Sequence, residues 1–230
     1  MAMLQHTVVL VWLTATIYWL TTVIRAKTGS LLANPVLWST VLMIAYLKLL
    51  NISYDTYYEA AKFIEFWLKP AVVCLAVPLY LNWEKIQKQW LPILVSQGVG
   101  SVTGIVTGMY FAKWLGAERE VVLSLASKSV TNPIAIEITS SIGGLPPITA
   151  AMVIVAGMTG QMAGQHVMNA STVRKPMSQG ISLGSASHAM GIAASMERSK
   201  KMAAYASLGL IFNGILTAIF VPLLLPIMGI

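Results

Sequence analysis

Lys128-Ser129-Val130-Thr131-Asn132-Pro133 interrupts a stretch, Val121–Ile142, that is otherwise apolar enough to lie in lipid. Proline has no amide hydrogen to donate and pushes the residue before it out of the helical region. The spacing therefore predicts a chain break at Asn132-Pro133, where Ser, Thr and Asn suit the start of a new helix. Such a start carries free N–H groups and the positive end of the helix dipole, which attract an anion. Irregular backbone survives in a bilayer only where protein buries it or it lines a cavity. A lysine at the bilayer centre costs roughly 2.5–3.5 kcal/mol on insertion scales. Two readings of Lys128 stay open: positive charge for a bound anion, or a structural role, paired with Glu137 or snorkelling to an interface.

A second polar-centred stretch follows, Gly180-Ile181-Ser182-Leu183-Gly184-Ser185-Ala186-Ser187-His188-Ala189-Met190-Gly191. Its glycines and serines suit an unwound segment whose backbone can approach a ligand closely. His188 could donate a hydrogen bond to a carboxylate or take up a proton during transport. The alternative for His188 is a structural role, its ring satisfied by a backbone carbonyl. Glu137 stands as a second candidate for ion coupling.

The surroundings decide the solvent. Of 230 residues, 57% are hydrophobic and 10% charged, whereas soluble domains carry about 25% charge. A soluble core of this size cannot hide so much apolar surface, and a disordered chain needs the opposite balance. This composition predicts an all-α polytopic membrane protein. Full spans are expected at Met1–Ile24, Asn34–Leu50, Phe63–Leu81, Leu91–Leu115, Ile148–Ala170 and Met202–Ile230. The third is interrupted by Lys69-Pro70 and Pro78. With the two broken or re-entrant stretches, these make eight hydrophobic segments. Residues 1–24 lack Lys and Arg, so no cleavable signal is expected.

The net charge of +7 sits in short loops, which speaks for membrane orientation and against nucleic acid. Arg25/Lys27, Lys85/Lys88, Arg174/Lys175 and Arg198/Lys200/Lys201 form basic clusters. Lys48 and Lys62 share a loop with Asp55 and Glu59, and Lys113 and Arg119 sit beside Glu118 and Glu120. All four basic clusters face one side only if both polar-centred stretches dip in and return. The positive-inside rule therefore favours re-entry, with both termini outside.

Displacing the chain by 56 residues aligns Gly104-x-x-x-Gly108 with Gly160-x-x-x-Gly164 and Ser129–Asn132 with Ser185–His188. Glu118-Arg119 falls on Arg174-Lys175 in the same register. If each polar-centred segment re-enters, each unit crosses once and the second copy is inverted. Many secondary transporters have this plan, with substrate at the repeat interface near the midplane. The expected organisation is an N-terminal scaffold (1–87), a repeat-containing transport core (88–201, units 88–143 and 144–199) and a C-terminal span (202–230).

Enzyme chemistry finds no support. Asp55 is the only aspartate, no HExxH occurs, and no carboxylate is placed to orient a Ser-His pair at 185–188. Cys74 is the lone cysteine, so neither a disulfide framework nor a thiolate metal cluster is available. No metal or cofactor is expected.

These motifs resemble the LrgB/CidB family of bacterial membrane proteins, which includes YohK-type proteins and the C-terminal half of the plastid glycolate/glycerate translocator. The likeness covers nearly the whole chain. Asn34-Pro35, Asn51-Ile52-Ser53-Tyr54, Pro70-Ala71-Val72-Val73 and Pro78-Leu79-Tyr80 resemble its early landmarks. Lys128–Ala135 is similar to its KSVTTPIA motif, followed by Ser141-Ile142-Gly143-Gly144-Leu145-Pro146, and Leu183–Gly191 is similar to LGTASHAIG. The resemblance implies either transport of small monocarboxylates, with a small LrgA/CidA-type partner, or a holin/antiholin-like effect on murein hydrolase export and lysis. It also implies residence in the bacterial cytoplasmic membrane. Two matched polar breaks with a lysine and a histidine favour transport, since a lysis pore has no need of them. Departures fall at Asn132, Ile192, Ala194 and Met202-Ala203, where the family pattern has Thr, Thr, Arg and Glu-Gly.

The resulting expectation is a secondary carrier of a small organic anion, working as a homo-oligomer, with a dimer the first choice. The substrate would be held by Lys128, Ser129, Thr131, Asn132, Gly184, Ser185, Ser187 and His188. Coupling would run through His188 or Glu137.

Overall fold

The computed structural model describes residues 6–30, 33–67, 70, 73–74, 76–81 and 83–230. Among them every regular element is an α-helix. The chain divides into two compact units, Met1–Val73 and Cys74–Ile230.

The first unit contains α1 (Thr7–Thr28), α2 (Pro35–Leu49) and α3 (Tyr54–Phe66). Asn34 starts α2 sharply, its Oδ1 accepting the Val36 and Leu37 amides at 2.9 and 3.2 Å, with proline at the first helical position. Leu10, Ile52 and Ala60 form this unit's small core.

The second unit holds the rest: α4 (Ala76–Leu81), α5 (Trp83–Lys88), α6 (Trp90–Trp114), α7 (Arg119–Ser124), α8 (Asn132–Ser141), α9 (Pro146–Ala170), α10 (Pro176–Met196) and α11 (Lys200–Met228). Among the described residues four helices, α1, α6, α9 and α11, are long and apolar enough to cross a membrane. Helix α2 is apolar but shorter. The expected span Phe63–Leu81 lies partly outside the described residues, as do Lys69, the landmarks Ala71 and Val72, and residues 1–5. Large apolar side chains such as Trp12, Trp19, Val99 and Val155 point outward, which a lipid solvent tolerates and water does not.

The 56-residue register reappears in the elements. Helix α6 begins at Trp90 and ends at Trp114, and α9 begins at Pro146 and ends at Ala170, each displaced by that interval. Helix α8 starts at Asn132, and its counterpart position, His188, is where α10 loses helical geometry, at φ 42° and ψ −129°. Both broken segments fold back on themselves. The Ser127 hydroxyl donates to the Ala135 carbonyl at 3.1 Å, across the first break. Gly191 lies so close to the Leu183 carbonyl, across the second, that a side chain would collide. Residues 127 and 135 are the register counterparts of 183 and 191, so the two folds pivot about 131 and 187.

Hydroxyl groups hold the first fold-back in place. Thr139 pairs with Ser127 at 3.0 Å and with Thr149 of α9 at 2.9 Å. Thr149 also donates to the Ser124 carbonyl at 2.9 Å, and the Leu145 amide donates to Ser124 Oγ at 2.7 Å. All four of these Ser/Thr side chains are fully buried. In an apolar medium such bonds replace the helix ladder that the break interrupts.

Candidate functional site at the two helix breaks

Residues 125–131 descend from α7 in tight turns: Ala126 N–H to Leu123, Lys128 N–H to Leu125, and Val130 N–H to Ser127. Thr131, extended at φ −68° and ψ 149°, then caps α8 with its backbone only. Its Oγ1 and the Asn132 Oδ1 are buried without a hydrogen-bond partner. Lys128 is not paired with Glu137. Its ammonium donates to the Gly104 carbonyl of α6 at 2.8 Å and lies against Gly108. The missing side chain of Gly108 makes room for the end of Lys128, and that of Gly104 faces Ser129 Oγ. Glu137 sits on the exposed face of α8.

At the second break, His188 adopts a backbone geometry that costs a residue with a Cβ about 1–3 kcal/mol. Its ring fills the notch left by Gly157 of α9, and Nε2 lies 2.9 Å from the Val153 carbonyl. Because a carbonyl only accepts, Nε2 carries the proton in this arrangement. One ring nitrogen of His188 is therefore held by a backbone carbonyl. Ser187 sits over Gly160, and its Oγ is buried without a partner. Gly184 faces elsewhere: its open side is filled by the Ala206 backbone of α11, so the missing side chain serves helix packing.

The two breaks meet. Asn213 of α11, 2% exposed, donates from one amide nitrogen to the Ser129 carbonyl at 3.1 Å and the Ser185 carbonyl at 3.0 Å. Those two oxygens therefore lie within about 6 Å of each other. On the facing helix, Ser185 Oγ abuts Gly100 and Ser129 Oγ abuts Gly104, one turn apart on α6. Ser129 is thus brought beside Ser185, with Thr131 and Asn132 following the one and Ser187 following the other along the chain. Sequence reasoning missed Asn213, a lone amide in a long apolar helix without any breaker beside it except Gly214. It also missed Gln97, 2% exposed on α6, whose Oε1 is buried without a partner.

The arrangement carries positive electrostatics. Two helix starts, that of α8 and that of α10 after His188, supply N–H groups left over from the ladder. Lys128 adds an ammonium with two donors that have no partner among the described residues. Glu137, the acidic residue of α8, is exposed. Among the described residues no group of three or more His, Cys, Asp or Glu could hold a metal ion.

The sequence profile of the LrgB-like family matches residues 14–227. Protein YxaC of Bacillus subtilis (strain 168), named as uncharacterized, is 38% identical over 189 residues, 82% of each chain. The antiholin-like protein LrgB of Bacillus mycoides (strain KBAB4) is 33% identical over 209 residues, 91% of each chain. Its namesake in Bacillus cereus (strain B4264) is 32% identical over the same share. No solved structure matches the chain. With the family pattern running across both helix breaks, the chain belongs to the LrgB-like family.

Proposed function

We propose that the protein is a secondary carrier of small organic anions, monocarboxylates of the glycolate, glycerate or pyruvate kind, in the bacterial cytoplasmic membrane. The observation that carries this is that Asn213 joins the two breaks at Ser129 and Ser185, each two residues before a buried, unpartnered hydroxyl, Thr131 and Ser187, with Lys128 preceding the first. A carboxylate would complete what the fold leaves open: hydroxyl donors, free amides and a compensated charge. Lys128, Ser129, Thr131, Asn132, Ser185 and Ser187 would line it. His188 would hold the second break in shape and, with Glu137, remains a candidate for ion coupling. Gly184 would act from outside the ligand's reach. No cofactor is needed for this chemistry.

The two units 88–143 and 144–199 would be an inverted repeat, each crossing once. The matched ends of α6 and α9 and the paired fold-backs support this. Cysteines placed at Glu118 and Arg174, one at a time, should then react with an impermeant maleimide from opposite sides of the membrane. Labelling of both from the same side overturns the inversion.

Uptake of labelled glycolate, pyruvate and lactate into proteoliposomes is the direct test of function. Saturable uptake is expected, with KM raised roughly tenfold or more in Thr131→Val and Ser187→Ala. Each removes one hydrogen bond to a charged ligand, worth about 1.5–3 kcal/mol, and tenfold corresponds to about 1.4 kcal/mol.

A second function is favoured by the relatives' name, antiholin-like: modulation of a lysis pore together with a small LrgA/CidA-type membrane protein. Dye leakage that depends on such a partner, without saturable uptake, would establish it in place of carriage. A homodimer is the assembly we expect for the carrier.

A further inference from the structure

We infer that Asn213 is a pin that holds the two helix breaks in register with each other. The need for a pin follows from the backbone. In a helix the carbonyl of residue 129 would accept from the amide of residue 133, but Pro133 has none. The carbonyl of residue 185 would accept from the amide of residue 189, which lies beyond the left-handed turn at His188. The ladder thus fails at register-equivalent carbonyls for two different chemical reasons. One side-chain nitrogen replaces both missing donors, at 3.1 and 3.0 Å. A primary amide suits this task because its single nitrogen carries two hydrogens at a fixed angle.

The surrounding contacts keep Asn213 in place. One turn before it, Gly209 seats against the Ile181 backbone of α10. One turn after it, the Thr217 hydroxyl pairs with Ser101 of α6 at 2.9 Å. Gly214 leaves room for Ile134 of α8. Helix α11 therefore touches both breaks along one stripe, and Asn213 is the point of that stripe where a bond reaches each of them. Any motion that separates the breaks must release one of its two bonds, while a motion that carries them together keeps both.

The pin stands on geometry alone; its consequence for transport rests on the carrier reading. Two measurements keep these apart. The first is a distance between spin labels at Ser140→Cys and Met196→Cys, exposed register equivalents on the outer arms of the two breaks, with Cys74→Ala as background. A narrow distribution is expected with Asn213 present. Asn213→Leu, which fills the space without donating, should broaden it at least twofold in width. Asn213→Ala, which leaves room for a water to bridge the carbonyls, should broaden it less. Equal widths for all three, or a broad distribution with Asn213 present, overturn the pin. The second measurement is uptake: Asn213→Leu should raise KM about tenfold, whereas Asn213→Ala should move it less. Absence of uptake in the unmodified chain would sink the carrier reading and leave the distance result to decide the pin.

Discussion

Lys128→Met is expected to abolish anion uptake, lowering Vmax/KM by two orders of magnitude or more, while the protein stays folded. The side chain lies at a break in a membrane-embedded segment, with one donor on the Gly104 carbonyl and two free. A carboxylate held there by helix starts and hydroxyls alone would keep a full negative charge in a medium that solvates it poorly. Removing one partner of a buried, hydrogen-bonded charge pair costs about 3–5 kcal/mol, and two orders of magnitude correspond to about 2.7 kcal/mol. Stability should move in the other direction or not at all. Methionine fills the space against Gly108 with a similar apolar stem and spares the chain the cost of burying an ammonium. The Gly104 carbonyl sits inside helix α6 and keeps its place in the ladder. Uptake in proteoliposomes and thermal unfolding in detergent, measured on the same preparation, separate the two roles. Loss of both together would make Lys128 a structural tether; full uptake in Lys128→Met would remove it from the site.

The breaks themselves could be read from sequence because they depend on local chemistry. Proline at 133 and a run of Gly and Ser before His188 each forbid a continuous helix, and lipid makes any forbidden stretch conspicuous. The interval of 56 residues was readable for the same reason, since Gly pairs and polar tetrads stand out against apolar residues. What could not be read was the identity of the partners. Lys128 bonds a backbone oxygen 24 residues away, and a carbonyl has no signature in a sequence. Glu137 offered a visible opposite charge, but α8 turns it outward. His188 has its ring over the Gly157 notch and against the Val153 carbonyl, and neither partner of α9 has a signature in the sequence. Asn213 gave no signal at all, because its meaning lies in two carbonyls that only tertiary structure brings within its reach.

Gly184 shows the same limit from the other side, and it carries the second large expected effect. Its place in a Gly- and Ser-rich stretch suggested a backbone open to a ligand. In the fold, a Cβ at Gly184 would run into the carbonyl, and then the Cα, of Ala206 on α11. Gly180 meets Met202 and Gly209 meets Ile181 in the same manner, so α10 and α11 interlock backbone against backbone over several turns. Backbone cannot rotate out of the way as a side chain can, so the helices must separate. Inserting bulk into a well-packed contact costs typically about 1–3 kcal/mol, and more where neither wall can give. Gly184→Val is therefore expected to lower the Tm in detergent by many degrees or to abolish a monodisperse peak on size exclusion. Gly98→Val, on α6 where a side chain meets nothing within 4 Å, should leave both unchanged. If Gly184→Val folds normally and loses only uptake, the glycine faces the ligand after all, and the close approach of α10 to α11 is not what it is for.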